Sequence, residues 1–228
     1  MDGLKRGALL AVALCLALSL TPATVAPPPQ PAPEPLPETM LTALRNGDVI
    51  CRLGDRLWSQ FFVDVSATDR RYSHLGIVRV ADGRATVIHS EGTATPGMDV
   101  VKEESIDDFV QIARTIGVYR AKGLDGGLIS KTAAEYIGAP FDWRFDMEDQ
   151  SKLYCTELLY AVLKRVAPQI ELATVYVGVL DKRVIPLEAV SGSEYFDEVL
   201  YSRSRRELHG VHRLRREWSE PPATEELR

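Results

Sequence analysis

His74 and Cys155 are the side chains of this sequence best suited to covalent chemistry. The histidine belongs to Tyr72-Ser73-His74-Leu75-Gly76-Ile77-Val78, whose apolar run reads as a strand. The cysteine belongs to Leu153-Tyr154-Cys155-Thr156-Glu157-Leu158-Leu159-Tyr160, whose apolar spacing reads as a helix with the thiol in its first turn. A thiol there meets the positive end of the helix macrodipole, which favours thiolate, and a nearby imidazole lowers its pKa further. Such a thiol is expected to alkylate even at pH ~6, where an unperturbed cysteine is almost wholly protonated. The pair predicts a cysteine nucleophile with a histidine base. His precedes Cys along the chain, and triads are defined by geometry and role rather than by order.

A base needs a third group to orient its ring. The strand-like runs His74 to Val80 and Ala85 to Ser90 flank Asp82-Gly83, a strong hairpin signal. With a two-residue loop, His74 lies opposite Glu91 and His89 opposite Gly76. Side chains alternate along a strand, so His74, His89 and Glu91 share one face. His89 is then the diagonal neighbour of His74, ~7–8 Å away and within side-chain reach. Both His89 and Glu91 are therefore candidates for the third residue.

Other readings of the same residues point elsewhere. A zinc site of His74, His89 and Cys155 has plausible ligand types, but no close spacing such as Cys-x-x-Cys supports it, so neither metal nor cofactor is expected. Glu157 fits the first turn of a helix as a structural carboxylate. Cys51 could pair with Cys155 in an exported protein, but a bridge would consume the nucleophile. Cys51 reads better as a small buried hydrophobe on the strand Asp48 to Arg52.

The remaining elements must position these groups. Met40 to Arg45 reads as a short helix ending at Asn46-Gly47, and Arg56 to Val63 as a helical turn or two over the site. Ser105-Ile106-Asp107-Asp108 starts a capped helix, and Ile116 to Ala121 is a strand. Asp125 caps a helix over Gly127 to Ile137 that stops at Gly138, and the cysteine helix runs from Cys155 to Val166. A helix leading onto a small antiparallel sheet indicates an α+β fold.

Composition sets the context. Lys5 and Arg6 precede an apolar run from Gly7 to Leu20 and a small-residue exit, so residues 1–26 read as a secretory signal peptide, too short for a comfortable span of roughly 20 apolar residues. The expected location is exported, periplasmic or extracellular, with a membrane tether if the segment is retained. Seven of the eleven residues from Pro27 to Pro37 are proline, an extended spacer (27–39). Residues 40–200 suit one domain, and 201–228 form a charged tail. The formal net charge of −5 gives no electrostatic footprint for nucleic acid, and the basic residues between Arg203 and Arg216 are interleaved with Glu207.

Together, Asn46-Gly47-Asp48-Val49-Ile50, the His74 strand, Val87-Ile88-His89, Gly138-Ala139-Pro140-Phe141-Asp142-Trp143-Arg144-Phe145-Asp146 and the Cys155 helix resemble the YiiX/YebB-like cysteine hydrolases, the permuted branch of the NlpC and papain-like superfamily. The resemblance covers roughly residues 40 to 200. It implies a circularly permuted papain-like fold with Cys155 as nucleophile, His74 as general base and His89 at the third, polar position. A histidine there departs from the glutamate common in the bacterial branch and is similar to the lecithin:retinol acyltransferase-like relatives. The resemblance thus implies an amidase or peptidase, with peptidoglycan stem peptide as the expected substrate and a lipid-linked amide or acyl transfer as the alternative. A non-catalytic binding module on the same fold is the reading from another class.

Overall fold

The computed structural model describes residues 36–54, 59–93, 95 and 97–203. The signal segment, most of the proline-rich spacer and the tail beyond Arg203 lie outside the described residues; Tyr201 and Ser202, expected in the tail, belong to the last strand of the sheet. In chain order the elements are α1 (Glu38–Ala43), β1 (Val49–Leu53), α2 (Ser59–Asp64), β2 (His74–Ala81), β3 (Arg84–Ser90), β4 (Val101–Ser105), α3 (Ile106–Val110), β5 (Thr115–Ala121), α4 (Gly126–Ala134), α5 (Cys155–Val166), β6 (Val175–Val177), β7 (Lys182–Val184), α6 (Glu188–Ser191) and β8 (Phe196–Ser202). Among the described residues no helix is long and apolar enough to cross a membrane.

Six strands form one antiparallel sheet in the order β4-β3-β2-β1-β5-β8, and β6 pairs with β7 in a separate hairpin. The central strand β1 is buried on both faces, which is why Val49-Ile50-Cys51 is apolar without alternation. On one face Val49, Cys51, Leu75, Ile77 and Ile88 pack with Leu158, Leu159, Val162 and Leu163 of α5 and Ile129 of α4. On the other, Ile50, Val78, Val87 and Val118 pack with Met40 of α1 and with Ile106, Phe109 and Val110 of α3. Each fully buried leucine of α5 contributes about 1.5–3 kcal/mol, so the helix that carries Cys155 is held by its apolar stripe rather than by propensity.

The β2–β3 hairpin has the anticipated register, Ile77 opposite Ile88 and Ala81 opposite Arg84. Asp82 and Gly83 both have positive φ (49° and 73°), the conformation of a type I′ turn. Helix α5 spans the anticipated residues. Helix α1 begins earlier than the anticipated Met40, because Pro37 supplies a preset φ of −57° and accepts from Met40 N–H. Helix α4 ends at Ala134, short of the anticipated Ile137, in turns that lead to Gly138. Of the anticipated helix over 56–63, residues 59–63 are helical among the described residues, and the helix runs on to Asp64. Strands β4 and β8, both sheet edges, were not legible: β4 is Val101-Lys102-Glu103-Glu104-Ser105, and charge on an edge strand hides its β character while protecting the edge from pairing.

Candidate active site

The N-terminus of α5 is fixed by its neighbours. Tyr154 Oη accepts from the backbone N–H of Ile185 (3.0 Å), and Thr156 Oγ1 donates to the carbonyl of the same residue (2.7 Å). Ser90 Oγ, at the end of β3, donates to Leu153 O (2.5 Å), and Leu153 N–H donates to Pro140 O (3.0 Å). Glu157 Oε2 accepts from Tyr154 N–H (3.2 Å), the structural role anticipated for it. Cys155 is thus held from three directions at the first position of the helix.

The histidine strand is anchored as firmly. Glu188 accepts from the backbone N–H groups of Ala67, Thr68 and Asp69 at 2.6 to 3.0 Å, clamping the loop that leads into β2. Tyr72 bonds Tyr119 through the two hydroxyls (3.0 Å). A Cβ on Gly117 would come within 2.1 Å of the Tyr72 hydroxyl, so glycine leaves the space for it. Ser73 N–H donates to Arg52 O (2.9 Å) and Ser73 Oγ accepts from Gly54 N–H (3.0 Å).

His74 Nε2 lies 2.8 Å from His89 Nδ1, and the rings meet edge to face with centroids 5.0 Å apart. Gly76 makes this approach possible: a Cβ there would fall 2.4 Å from a Val87 methyl and 3.0 Å from His89 Cβ. Phe109 of α3 covers both imidazoles, with centroids 5.6 Å from His74 and 5.1 Å from His89. Burial holds the pKa of His89 below the ordinary imidazole value, although Glu104 and Glu91 pull it upward. His89 is therefore a neutral imidazole near pH 7.

His74 and Cys155 line the same cavity, together with Arg52, Phe62, Ser90, Glu91 and Phe141. Its enclosed part, about 30 Å³, has room for a water molecule or two. The thiol itself is buried, with the residue 1 % exposed. Burial pushes the Cys155 pKa up to about 12, against the smaller lowering effect of the N–H groups of Leu75 and Thr156. This corrects the expectation of a resting thiolate. The helix terminus and strand N–H groups are present, but desolvation outweighs them, so the resting site holds a neutral thiol.

The four candidate residues part into two groups. His74 and Cys155 line one cavity, and His89 stands behind His74 in contact with its Nε2. Glu91 also lines the cavity, yet its Oε1 forms a buried ion pair with Arg52, whose guanidinium lies over the Phe109 ring at 4.4 Å and donates to Phe109 O. The carboxylate expected opposite His74 is thereby engaged by a neighbour of opposite charge, and His89 contacts His74 instead. Cys51 and Cys155 are both free thiols. Cys51 is buried on β1 with its pKa raised, mainly by burial, as fits a small hydrophobe.

Sequence reasoning missed Arg52, Phe109 and Glu104. Glu104 Oε1 lies 3.0 Å from His89 Nε2, and Lys102 Nζ lies 2.9 Å from Glu104 Oε2. The available signal was the alternation of β4, which places Lys102 and Glu104 on the histidine face once β4 is paired with β3, His89 opposite Lys102 and Val87 opposite Glu104.

Comparison with known proteins adds an independent line. Residues 43–181 match the family described as permuted papain-like amidase enzyme, YaeF/YiiX, C92. The crystal structure of the metalloprotein YiiX from Escherichia coli O157:H7 superimposes with a TM-score of 0.58 at 17 % identity, covering 69 % of this chain and 97 % of that one, a likeness of fold. A search of curated proteins gives no match. That protein is described as a metalloprotein. Among the described residues here, no cluster of three or more His, Cys, Asp or Glu side chains is arranged to hold a metal ion, and His74 turns its Nε2 to His89. The motifs, the fold and the matched span agree: the chain belongs to the permuted papain-like amidases of the YaeF/YiiX type, a family of cysteine amidases and peptidases.

Proposed function

We propose that the protein is an exported cysteine amidase that cleaves an amide or peptide bond in cell-wall stem peptide, with Cys155 as nucleophile, His74 as base and His89 as the residue that orients it. The observation that carries this reading is the 2.8 Å contact between His74 and His89 beside the cavity that Cys155 lines at the start of α5. Attack of sulfur on the carbonyl carbon proceeds with transfer of the thiol proton to His74, because a thiol with a pKa of about 12 is neutral until the base takes its proton. The tetrahedral intermediate places its oxyanion by the backbone N–H groups at the start of α5. His74 then returns the proton to the leaving amine, giving a thioester. Water, deprotonated by His74, hydrolyses the thioester, releases the acid and restores the thiol.

The export expectation rests on the basic, then apolar, then small-residue pattern of residues 1–26, which lie outside the described residues. Outside the cytoplasmic membrane the abundant unusual amides are those of the wall peptide. A second reading, acyl chemistry on a lipid amide or ester, is favoured by the two-histidine arrangement and the Phe62 and Phe141 cavity walls. Incubating the mature protein with muropeptides and, separately, with phospholipid and N-acylated lipid vesicles tests both. Amine release from muropeptides alone, lost in Cys155→Ser, supports the wall reading. Turnover of lipid alone replaces it with the second, and no turnover of either overturns both in favour of a binding module.

A further inference from the structure

Resting on the amidase reading above, we infer that Glu104 is a positioning residue that fixes the proton pattern of His74 through His89. His89 has two ring nitrogens and one of them, Nδ1, meets His74 Nε2 at 2.8 Å. The other, Nε2, is fully buried and faces Glu104 Oε1 at 3.0 Å, off the axis of a linear hydrogen bond. A lone pair on Nε2 would point its negative end toward a carboxylate at that distance, so the proton resides on Nε2 whether or not the contact is linear.

The rest follows from counting protons. A neutral His89 protonated at Nε2 has its lone pair on Nδ1 and can only accept there. His74 must then donate from Nε2, which leaves the lone pair of His74 on Nδ1, the nitrogen that must take the thiol proton. When Cys155 gives up its proton, His74 becomes an imidazolium. Its positive charge is passed electrostatically, without proton transfer, along the His89 dipole to the Glu104 carboxylate. Without Glu104 nothing in this arrangement distinguishes the two tautomers of His89, and the wrong one would leave His74 holding a proton where it needs a lone pair.

The charged surroundings fit a carboxylate that stays ionised. Burial works to raise Glu104, but the contacts with His89 and Lys102 outweigh it and bring the carboxyl down to about 2. Around His89 the facing charges are His74 on β2, Arg52 on β1, Glu91 after β3 and Lys102 and Glu104 on β4, with the Phe109 ring of α3 closing the remaining side. Arg52 takes Glu91, whereas Glu104 holds Lys102 with Oε2 at 2.9 Å and turns Oε1 to His89 Nε2 at 3.0 Å, so Glu104 is the acid directed at the histidines.

Two measurements on the full mature protein test this. Nitrogen-15 NMR of the imidazoles in the resting enzyme, which needs no substrate, should show His74 and His89 both protonated at Nε2. His89 protonated at Nδ1 would overturn the proposal while leaving the amidase reading standing. Glu104→Gln removes the charge on an edge strand. It should lower kcat by roughly 10–100-fold with KM little changed, and move the acid limb of the kcat/KM profile to lower pH, because the imidazolium loses a stabilising charge. Glu104→Asp should recover part of the rate. A Glu104→Gln enzyme with an unaltered pH profile and a rate within twofold of wild type overturns the assignment. Loss of folded protein in Glu104→Gln would leave the NMR result to decide it. Failure of the amidase reading is read separately, from turnover that survives Cys155→Ser.

Discussion

His74 and His89 touch through their ring nitrogens at 2.8 Å across β2 and β3, while Glu91, just past the end of β3, is held by Arg52. If His74 is the base proposed above, His89 is the residue placed to orient it, and Glu91 lines the cavity with Arg52. Losing the orienting ring should cost less than losing the base. His89→Ala is expected to lower kcat/KM by roughly 10–10³-fold, and His74→Ala by more. Steady-state kinetics of the two variants side by side check this ordering.

Glu91 should fail differently. Glu91→Gln leaves the Arg52 guanidinium buried without its counter-charge, and breaking a buried pair on one side costs about 3–5 kcal/mol. The expected result is a large drop in the urea midpoint with a rate per folded molecule only a few fold below wild type. A collapse of kcat/KM at unchanged stability would make Glu91, rather than His89, the orienting residue.

The buried thiol sets the expected reactivity. With Cys155 raised to about 12 and almost inaccessible, iodoacetamide should label it more slowly than free cysteine at pH 6, with a rate that climbs through alkaline pH. The sign for stability follows: the unfolded thiol ionises near pH ~8.5 and the folded one does not, so Cys155 takes stability away only above that pH. Peptide mapping after timed alkylation checks the rate. Labelling of Cys155 at pH 6 faster than free cysteine would mean a resting thiolate and contradict the neutral site.

Much of this arrangement was legible from the sequence because it depends on period and parity. The Asp82-Gly83 turn sets the β2–β3 register, and the register alone brings His74 and His89 to one face. Helix α5 was legible because its apolar stripe and its Cys155 start coincide. What could not be read depends on contacts between residues distant in sequence. Glu91 is taken by Arg52, 39 positions away, and the thiol pKa is set by how completely Phe62, Phe141 and the strand ends close over it. Strand β4 was hidden by its own charges, and with it Glu104.

Glu157 offers a test on stability alone. Its Oε1 is buried without a hydrogen-bond partner, and burial, with Asp142, Asp146 and Asp149 nearby, raises the carboxyl to about 8 despite the Tyr154 N–H. The folded state therefore holds a proton that the unfolded state releases near the usual value of 4.5, so stability falls as pH rises from about 4.5 to about 8. Glu157→Gln should remove that slope, with a gain on the order of 1–3 kcal/mol at pH 8 relative to its effect at pH 5. Urea titrations at the two pH values check it, and equal differences at both would contradict a buried neutral carboxyl.

The central claim is that Cys155 carries the acyl group. Rapid-quench intact-mass spectrometry with p-nitrophenyl acetate tests it most directly, because the ester transfers an acetyl group to the nucleophile and releases p-nitrophenolate. The account predicts a single acetyl adduct, mapped to Cys155 and discharged by hydroxylamine, that forms roughly 10²–10⁴-fold more slowly in His74→Ala and not at all in Cys155→Ser. An adduct on another residue, or a Cys155→Ser protein that turns over within tenfold of wild type, would contradict it.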